Sequence, residues 1–231
     1  MVNIVLTSFF IIILTIAVFL TMEKLYMKLP NPLLLPALTS TILLASMLVL
    51  FHIPYETYMI GGEWINRLLG PAVVALAIPL YRQKETLKKY AMPIISGVTI
   101  GAVVGILSGT SLGKWLGMSK EMVYTLLPKS VTTPVAIEIA SSLGGIPTLA
   151  AVFVIFAGLV GAILGPYLVK WFRIDGAIGQ GIGFGTASHA FGTIKALEYG
   201  ELEGAISSVA MTLCALLTSI ISPLLMQLLG W

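Results

Sequence analysis

The stretch "LPKSVTTP", Leu127 to Pro134, puts one lysine, one serine, two threonines and two prolines into eight residues, with apolar sequence on either side. Inside hydrocarbon every backbone N–H and C=O needs a partner. A proline-broken segment is therefore tolerated only where protein buries it or where it lines a wet cavity. Pro128 and Pro134 prevent a single continuous helix and leave free amides at the start of the helix that resumes. The fold turns on this point: the chain is either a plain bundle of crossings or a bundle with interrupted helices.

The surrounding sequence establishes the membrane setting. Of 231 residues, 58% are hydrophobic and 10% charged, too few polar side chains to cover a soluble globule. The mean hydropathy of +1.01 agrees with this. The net charge of +3 is 13 basic minus 10 acidic side chains, and both kinds sit between apolar runs rather than along a stripe or tail. That distribution argues against nucleic acid as a partner. Cys214 is the only cysteine and forms no intramolecular disulfide. In its apolar run it reads first as packing filler and second as a reactive thiol.

Spans of about 20 uncharged residues are needed to cross a core of about 30 Å. Ile4–Met22, Leu33–Phe51, Tyr90–Gly113 and Gly204–Trp231 meet that length, and Ile139–Val169 does so with Gly144, Gly145 and Pro147 breaking it near its start. Three more are short or interrupted: Leu68–Tyr81 by Gly70, Pro71 and Pro79, Met122–Ile137 by Lys129 and two prolines, and Gly176–Ile194 by six glycines and His189. The first run lacks a basic leader and a small-residue cleavage site, and reads as a retained span. No stretch alternates as a barrel strand does. The expected fold is all-α and polytopic, with about eight helical elements, some discontinuous or re-entrant.

An internal echo extends this reading. "LPNPLLLPAL" from Leu29 and "LPKSVTTPVAI" from Leu127 share a Leu-Pro followed six residues later by proline, and "LLGPAVVALAIPLY" from Leu68 is weakly matched by "IGFGTASHAFGTIKA" from Ile182. Paired interrupted segments in corresponding positions point to a transporter built from inverted repeats around a midplane site. The repeat halves would be about 1–117 and 118–231 of one transmembrane domain. By the bias of basic residues in short loops, Arg82, Lys84, Lys88 and Lys89 belong in the cytoplasm. Lys170 and Arg173 prefer the same side, yet a simple count of crossings after Lys114 puts them opposite. A re-entrant Met122–Gly145 segment, adding no net crossing, removes that conflict.

The opening stretch now acquires a chemical meaning. Helix N-termini attract anions through free N–H groups and the dipole together. Ser130, Thr132 and Thr133 add hydroxyls, and Lys129 adds a full charge where an unpaired cation is expensive. Together they describe a small-anion site. The competing reading has Lys129 snorkelling to the interface and the hydroxyls bonding back to their own helix. A second stretch, "GIGFGTASHAFGTIKALE" from Gly181, places Gly185, Thr186, Ser188, His189 and Gly192 among small residues that let backbones or a ligand come close. His189, with an ordinary pKa of about 6.5, is suited to bind a carboxylate or carry a proton, or alternatively to tie two helices together. Glu138 is open to pairing with Lys129 or Lys195, to proton coupling, or to simple solvation. Gly70, Pro71, Pro128, Pro134 and Gly192 are the expected breaks and gating points. The two histidines, His52 and His189, lie on unlike segments and suggest no metal. No phosphate loop and no credible catalytic arrangement is present, so neither enzyme activity nor a cofactor is expected. Gly97, Gly101 and Gly105 form a stripe for packing against a partner, a second copy or the chain itself.

Three blocks, "YETYMIGGEWINRLLGPAVVALAIPLYRQ", "LPKSVTTPVAIEIASSLGG" and "GIGFGTASHAFGTIKALE", closely resemble the signature segments of the bacterial LrgB/CidB family, from about Asn31 to the end of the chain. The resemblance implies a multi-pass plasma-membrane protein made alongside a small four-span partner of the LrgA/CidA type. Family members are described as antiholin-like or holin-associated regulators of murein hydrolase export and autolysis. Others are linked to pyruvate uptake, and a related plastid protein looks like a glycolate/glycerate translocator. The expectation joining residues to resemblance is a carrier of small monocarboxylates. The alternative is a lysis-restraining partner of a holin-like pore.

Overall fold

Long uncharged runs have only one way to satisfy their backbone polar groups within a single segment, and that is the α-helix. The computed structural model describes residues 2–29, 31, 34, 36–75 and 77–228, and every regular element among them is helical. In chain order these are α1 (Val2–Lys28), α2 (Pro36–Leu50), α3 (Tyr55–Asn66), α4 (Leu69–Ala75), α5 (Ala77–Arg82), α6 (Lys84–Lys89), α7 (Ala91–Trp115), α8 (Lys120–Leu126), α9 (Thr133–Leu143), α10 (Pro147–Trp171), α11 (Ala177–Leu197) and α12 (Glu201–Leu228). Four are long and apolar enough to cross a membrane, over Ile4–Lys28, Ala91–Trp115, Pro147–Trp171 and Glu201–Gln227. All eight expected segments have helical counterparts. Two short helices join them: α6 is mostly charged and α3 carries two glutamates, so neither has an apolar window. Pro30, Pro32, Leu33 and Leu35 of the first echo segment, the Pro79 side chain, and the end of the last span at 229–231 lie outside the described residues.

The chain forms two compact units, one through Ala72 and one from Val73 on. In the first, Gly61 lets α3 meet α1, since a Cβ there would lie 2.7 Å from Ile11 Cβ and from the Ser8 carbonyl. Ser8 Oγ donates to the Ile60 carbonyl at 3.1 Å, and Thr15 Oγ1 and Tyr58 Oη share a hydrogen bond at 3.1 Å. Gly70 and Pro71 open α4 of this region and are exposed.

In the second unit, glycines report the direction of each neighbour. Along α7, Gly97 faces Ile182 and Gly101 faces Thr186, so α7 and the first part of α11 run parallel. Along α10, Gly161 faces Ser188 and Gly165 faces Phe184, so α10 runs against that same part of α11. It follows that α7 and α10 are antiparallel, and the segment 116–146 between them makes no net crossing. Arg82, Lys84, Lys88 and Lys89 before α7 and Lys170 and Arg173 after α10 then share one end of the bundle. That end is the cytoplasmic one by its excess of basic residues.

The segment 116–146 is a re-entrant hairpin. Gly113 faces Val123, Gly109 faces Leu126 and Leu127, and Gly105 faces Ser130, so α8 runs back down α7 toward its middle. The return arm α9 ends where Gly145 packs on Thr125. The second interrupted segment is re-entrant too, from the opposite end. His189 has φ 43° and ψ −127°, and the helix breaks there. In a straight helix, residues eight apart are about 12 Å apart. Here a Cβ on Gly192 would strike the Phe184 carbonyl, and the Phe184 and Tyr199 rings lie 5.5 Å apart. The chain has therefore turned back. Gly181 faces Glu203 and Gly204 faces Leu197, so the return arm ends at the cytoplasmic end, where α12 begins its crossing. The sequence anticipated an interruption at His189; the reversal is the addition.

Candidate functional site

Two hairpin tips, one from each end, meet α7 on adjacent turns. The successive α7 glycines 101 and 105 face Thr186 of the cytoplasmic hairpin and Ser130 of the outer hairpin. These glycines flank the middle of the 25-residue α7. The same glycine stripe that suggested a partner surface is thus occupied by the chain's own hairpins.

The outer tip is built by proline and by apolar anchoring. Ser119 caps α8, its Oγ accepting from Met122 N at 3.3 Å. Pro128 follows the last turn, and Leu127, Pro128 and Val131 are all but fully buried, which holds the irregular tip in place. Thr132 is the N-cap of α9 with extended φ and ψ, and Pro134 sits in the first turn, as helix starts favour. The arm closes at Gly144, φ 83°, a left-handed position suited to glycine. The base is tied by Ile146 N donating to Thr125 Oγ1 at 2.8 Å, while that hydroxyl donates to the Glu121 carbonyl at 2.7 Å.

Within this tip, Lys129 Nζ donates to the Gly105 carbonyl at 2.8 Å and at 3.4 Å to Ser108 Oγ. The space for its ammonium comes from Gly109, where a Cβ would sit 3.1 Å from Nζ. Among the described residues no carboxylate lies within ion-pair distance of it. The Lys129 charge is half-buried, hydrogen-bonded and not neutralised. At the start of α9, Thr133 and Val135 carry amides without an intrahelical acceptor.

Most buried hydroxyls of this unit are spoken for. Thr110, Thr125, Thr186, Thr212 and Ser222 donate to carbonyls one turn back, Ser207 bonds Thr193, and Thr218 meets Cys214. Thr132 is the exception. It is 7% exposed with an Oγ1 that has no partner. A buried donor without a partner normally costs about 1–3 kcal/mol. That hydroxyl stands on the outer tip; on the cytoplasmic one Ser188, 1% exposed, packs its Oγ over Gly161.

The cytoplasmic tip points its larger groups into α10. His189 Nε2 donates to the Val154 carbonyl at 3.0 Å, which fixes the tautomer and leaves Nδ1 as the remaining ring nitrogen. The ring lies 5.3 Å from that of Phe191, over the space left by Gly158. Thr186 Oγ1 donates to the Ile182 carbonyl at 2.7 Å, so it has acceptor capacity left but no proton to give. Gly185 lets the hairpin lie on the backbone of α12 at Ser207, and Gly192 lets the two arms touch.

The sequence-predicted residues divide accordingly. Pro128, Lys129, Ser130, Thr132, Thr133 and Pro134 make the outer tip, and Gly185, Thr186, Ser188, His189 and Gly192 the cytoplasmic one. Glu138 is exposed on α9 and forms no ion pair with Lys129. Lys195 is taken by Glu198 at 2.7 Å, so Glu138 does not pair with it either. Thr125, the Val154 carbonyl and the glycines 158 and 161 escaped notice; the last two were legible as small residues three apart in "AGLVGAILG".

A polytopic helical membrane protein with opposed re-entrant hairpins is the class these features define. The chain belongs to the LrgB-like family, whose model matches residues 15–228. It is 54% identical over 218 residues, 94% of this chain and 95% of the relative, to "Uncharacterized protein YxaC" of Bacillus subtilis. It is 41% identical over 217 residues, covering 94% and 95% of the two chains, to the "Holin-like protein CidB" of Staphylococcus aureus. No solved structure matches. With four long apolar helices and bacterial relatives of this kind, it is a multi-pass bacterial membrane protein.

Proposed function

We propose that this protein is a carrier, not an enzyme, and moves small monocarboxylates such as pyruvate or glycolate across the membrane together with a small partner of the LrgA/CidA type. The observation that supports this most is the unpartnered Thr132 Oγ1, 93% buried at the N-terminus of α9, beside the unneutralised Lys129. An anion supplies what those groups lack. A carboxylate accepts from Thr132 Oγ1 and the free α9 amides, and Lys129 provides the compensating charge through its remaining N–H. Ser130 and Thr133, half-buried beside it, complete the hydroxyl set. The 2-oxygen of the substrate faces the cytoplasmic tip, where Ser188 presents its hydroxyl, Thr186 an acceptor and His189 its Nδ1. Alternating access comes from one bundle rocking against the other around this midplane site, within the proposed scheme of inverted repeats.

The test is saturable uptake of labelled pyruvate and glycolate into proteoliposomes holding the protein, alone and with its small partner, under an imposed pH gradient. Uptake that disappears in Lys129→Ala, with the variant expressed and folded, is expected. Uptake unchanged by Lys129→Ala sinks the site assignment. A second reading is an antiholin-like or holin-like protein that regulates murein hydrolase activity and autolysis, and the similarity to a holin-like protein of Staphylococcus aureus favours its holin-like part. Absence of any carboxylate uptake in the presence of the partner, with a lysis phenotype retained, decides for that reading.

A further inference from the structure

Each hairpin is held to the bundle differently, and the difference assigns them different mechanical roles. The outer hairpin is tied at its base through Thr125 and Ile146 and at its tip through Lys129 and the Gly105 carbonyl. The cytoplasmic hairpin is joined to α10 by one side-chain hydrogen bond, from His189 Nε2 to the Val154 carbonyl, while Thr193 Oγ1 with Ser207 Oγ at 2.9 Å and Cys214 Sγ with the Thr186 carbonyl at 3.9 Å join it to α12. His189 also has φ 43° with ψ −127°, a region that a side-chain-bearing residue occupies only under strain and that glycine occupies freely. Such a conformation persists when the surroundings over-determine it. Here the surroundings are the Val154 carbonyl and the gap at Gly158 into which the ring fits.

We propose that the cytoplasmic hairpin is the moving gate of this protein and that His189 is its latch: seated on Val154 it holds a strained turn closed, and unseated it lets the turn relax and the tip leave α10. The inference rests on the carrier reading for its purpose, but not for its measurement. The neighbours suit such motion, because Gly158, Gly161 and Gly165 present bare backbone to the hairpin on α10, as Gly97 and Gly101 do on α7. Polar side chains do not grip it there. Ser188 Oγ sits over the bare backbone of Gly161. The latch and the strain oppose each other, so removing one without the other separates them. His189→Ala keeps the strain and removes the bond; His189→Gly removes both.

The experiment uses the full chain with Cys214→Ala and a reporter Ser188→Cys, buried in the closed hairpin, reacted with a membrane-impermeant maleimide from the cytoplasmic side of inverted vesicles, without substrate. With His189 present labelling is slow. In His189→Ala it rises about tenfold, the factor for one buried hydrogen bond of ordinary net strength, and in His189→Gly it rises less. Gly158→Ala leaves the hairpin sequence intact and pushes the ring from its seat, and it raises labelling as well. An Ala140→Cys reporter, buried in the outer hairpin, stays at its native rate throughout. Labelling that does not rise in His189→Ala and Gly158→Ala, that rises no more for Ala than for Gly, or that rises equally at Ala140→Cys overturns the latch. Uptake measured in parallel on the protein with native Ser188 and His189 keeps the two proposals apart: a gate that opens in a protein that transports nothing refutes the carrier alone, and carboxylate uptake through a hairpin that never labels refutes the gate alone.

Discussion

The two hairpins enter from opposite ends and turn back near the middle of the same helix, yet they break for unlike reasons. In the outer one, Pro128 and Pro134 forbid continuity, and the irregular tip is pinned by the buried Leu127 and Val131 and by Lys129 on α7. In the cytoplasmic one, nothing in the local sequence forbids a helix through Ser188, His189 and Ala190. The break is imposed from outside, by the Val154 carbonyl and the missing side chain at Gly158. A covalently determined break gives a fixed set of helix-end amides, which suits binding. A tertiary break can be undone when its contacts are released, which suits motion.

The largest effect that would test this division is loss of the outer tip's charge. Lys129→Ala is expected to lower carboxylate uptake on the order of a hundredfold, as when one partner of a buried charged pair is cut away. Expression should hold and stability should fall by no more than about 1.5–3 kcal/mol, the worth of the hydrogen bond to the Gly105 carbonyl, because Lys129 has no native counter-ion to leave stranded. A large drop in unfolding temperature with uptake per folded molecule unchanged would make Lys129 a staple of the tip and nothing more.

Thr132→Val sharpens the same point through opposite signs. The substitution keeps the shape and removes a buried hydroxyl that has no partner in the unliganded protein. Stability should therefore hold or rise by about 1 kcal/mol, while the KM for uptake rises about tenfold through the lost hydrogen bond to a charged group. Melting curves and concentration-dependent uptake on one preparation decide it. A fall in stability with KM unchanged would mean that Thr132 serves the fold alone.

Which parts were legible in the sequence follows from the same contrast. The outer hairpin could be read because its causes are local: prolines, a lysine and hydroxyls in eight residues, with "GG" closing the arm. Charge added a hint of the re-entrant form, since such a segment reconciles the preference of Lys170 and Arg173 for the side of Arg82 with the count of crossings. At the cytoplasmic hairpin the glycines and His189 marked an interruption, but a reversal at a histidine depends on residues some 30 positions away, Val154 and Gly158. Local pattern does not encode such a partner. Similarly, the stripe of Gly97, Gly101 and Gly105 announced close packing without naming its occupant. Glu138 was read as a potential partner of Lys129 because they are near in sequence, whereas α9 turns it outward.

Packing at the cytoplasmic hairpin yields a further test. A Cβ on Gly161 would fall onto Ser188 Oγ, so Gly161→Ala is expected to destabilise the protein by about 1–3 kcal/mol, the range for overpacking. Ser188→Gly in the same chain removes the clash and should restore most of that loss, a coupling seen only between residues in contact. If the two changes add instead, the hairpin does not rest on α10 at Gly161, and the closed position described for it is wrong.

The smallest expected effect concerns Glu138. It lies exposed on α9 with no ion pair among the described residues, in company with the exposed Ser141 and Ser142. A carboxylate with no partner gains nothing from its charge in the fold, and surface substitutions of this kind usually stay within about 0.5 kcal/mol. Glu138→Gln should accordingly leave stability unchanged and uptake within about twofold, a change of roughly 0.4 kcal/mol on the same scale. The comparison of hairpins makes this more than a control. If the outer hairpin is a rigid binding element, its outward face is passive, and any coupling to a pH gradient lies elsewhere. Should Glu138→Gln instead abolish the stimulation of uptake by an acid-outside gradient while sparing exchange at equal pH, the outer hairpin would itself carry the coupled proton, and binding and motion would no longer divide between the two tips.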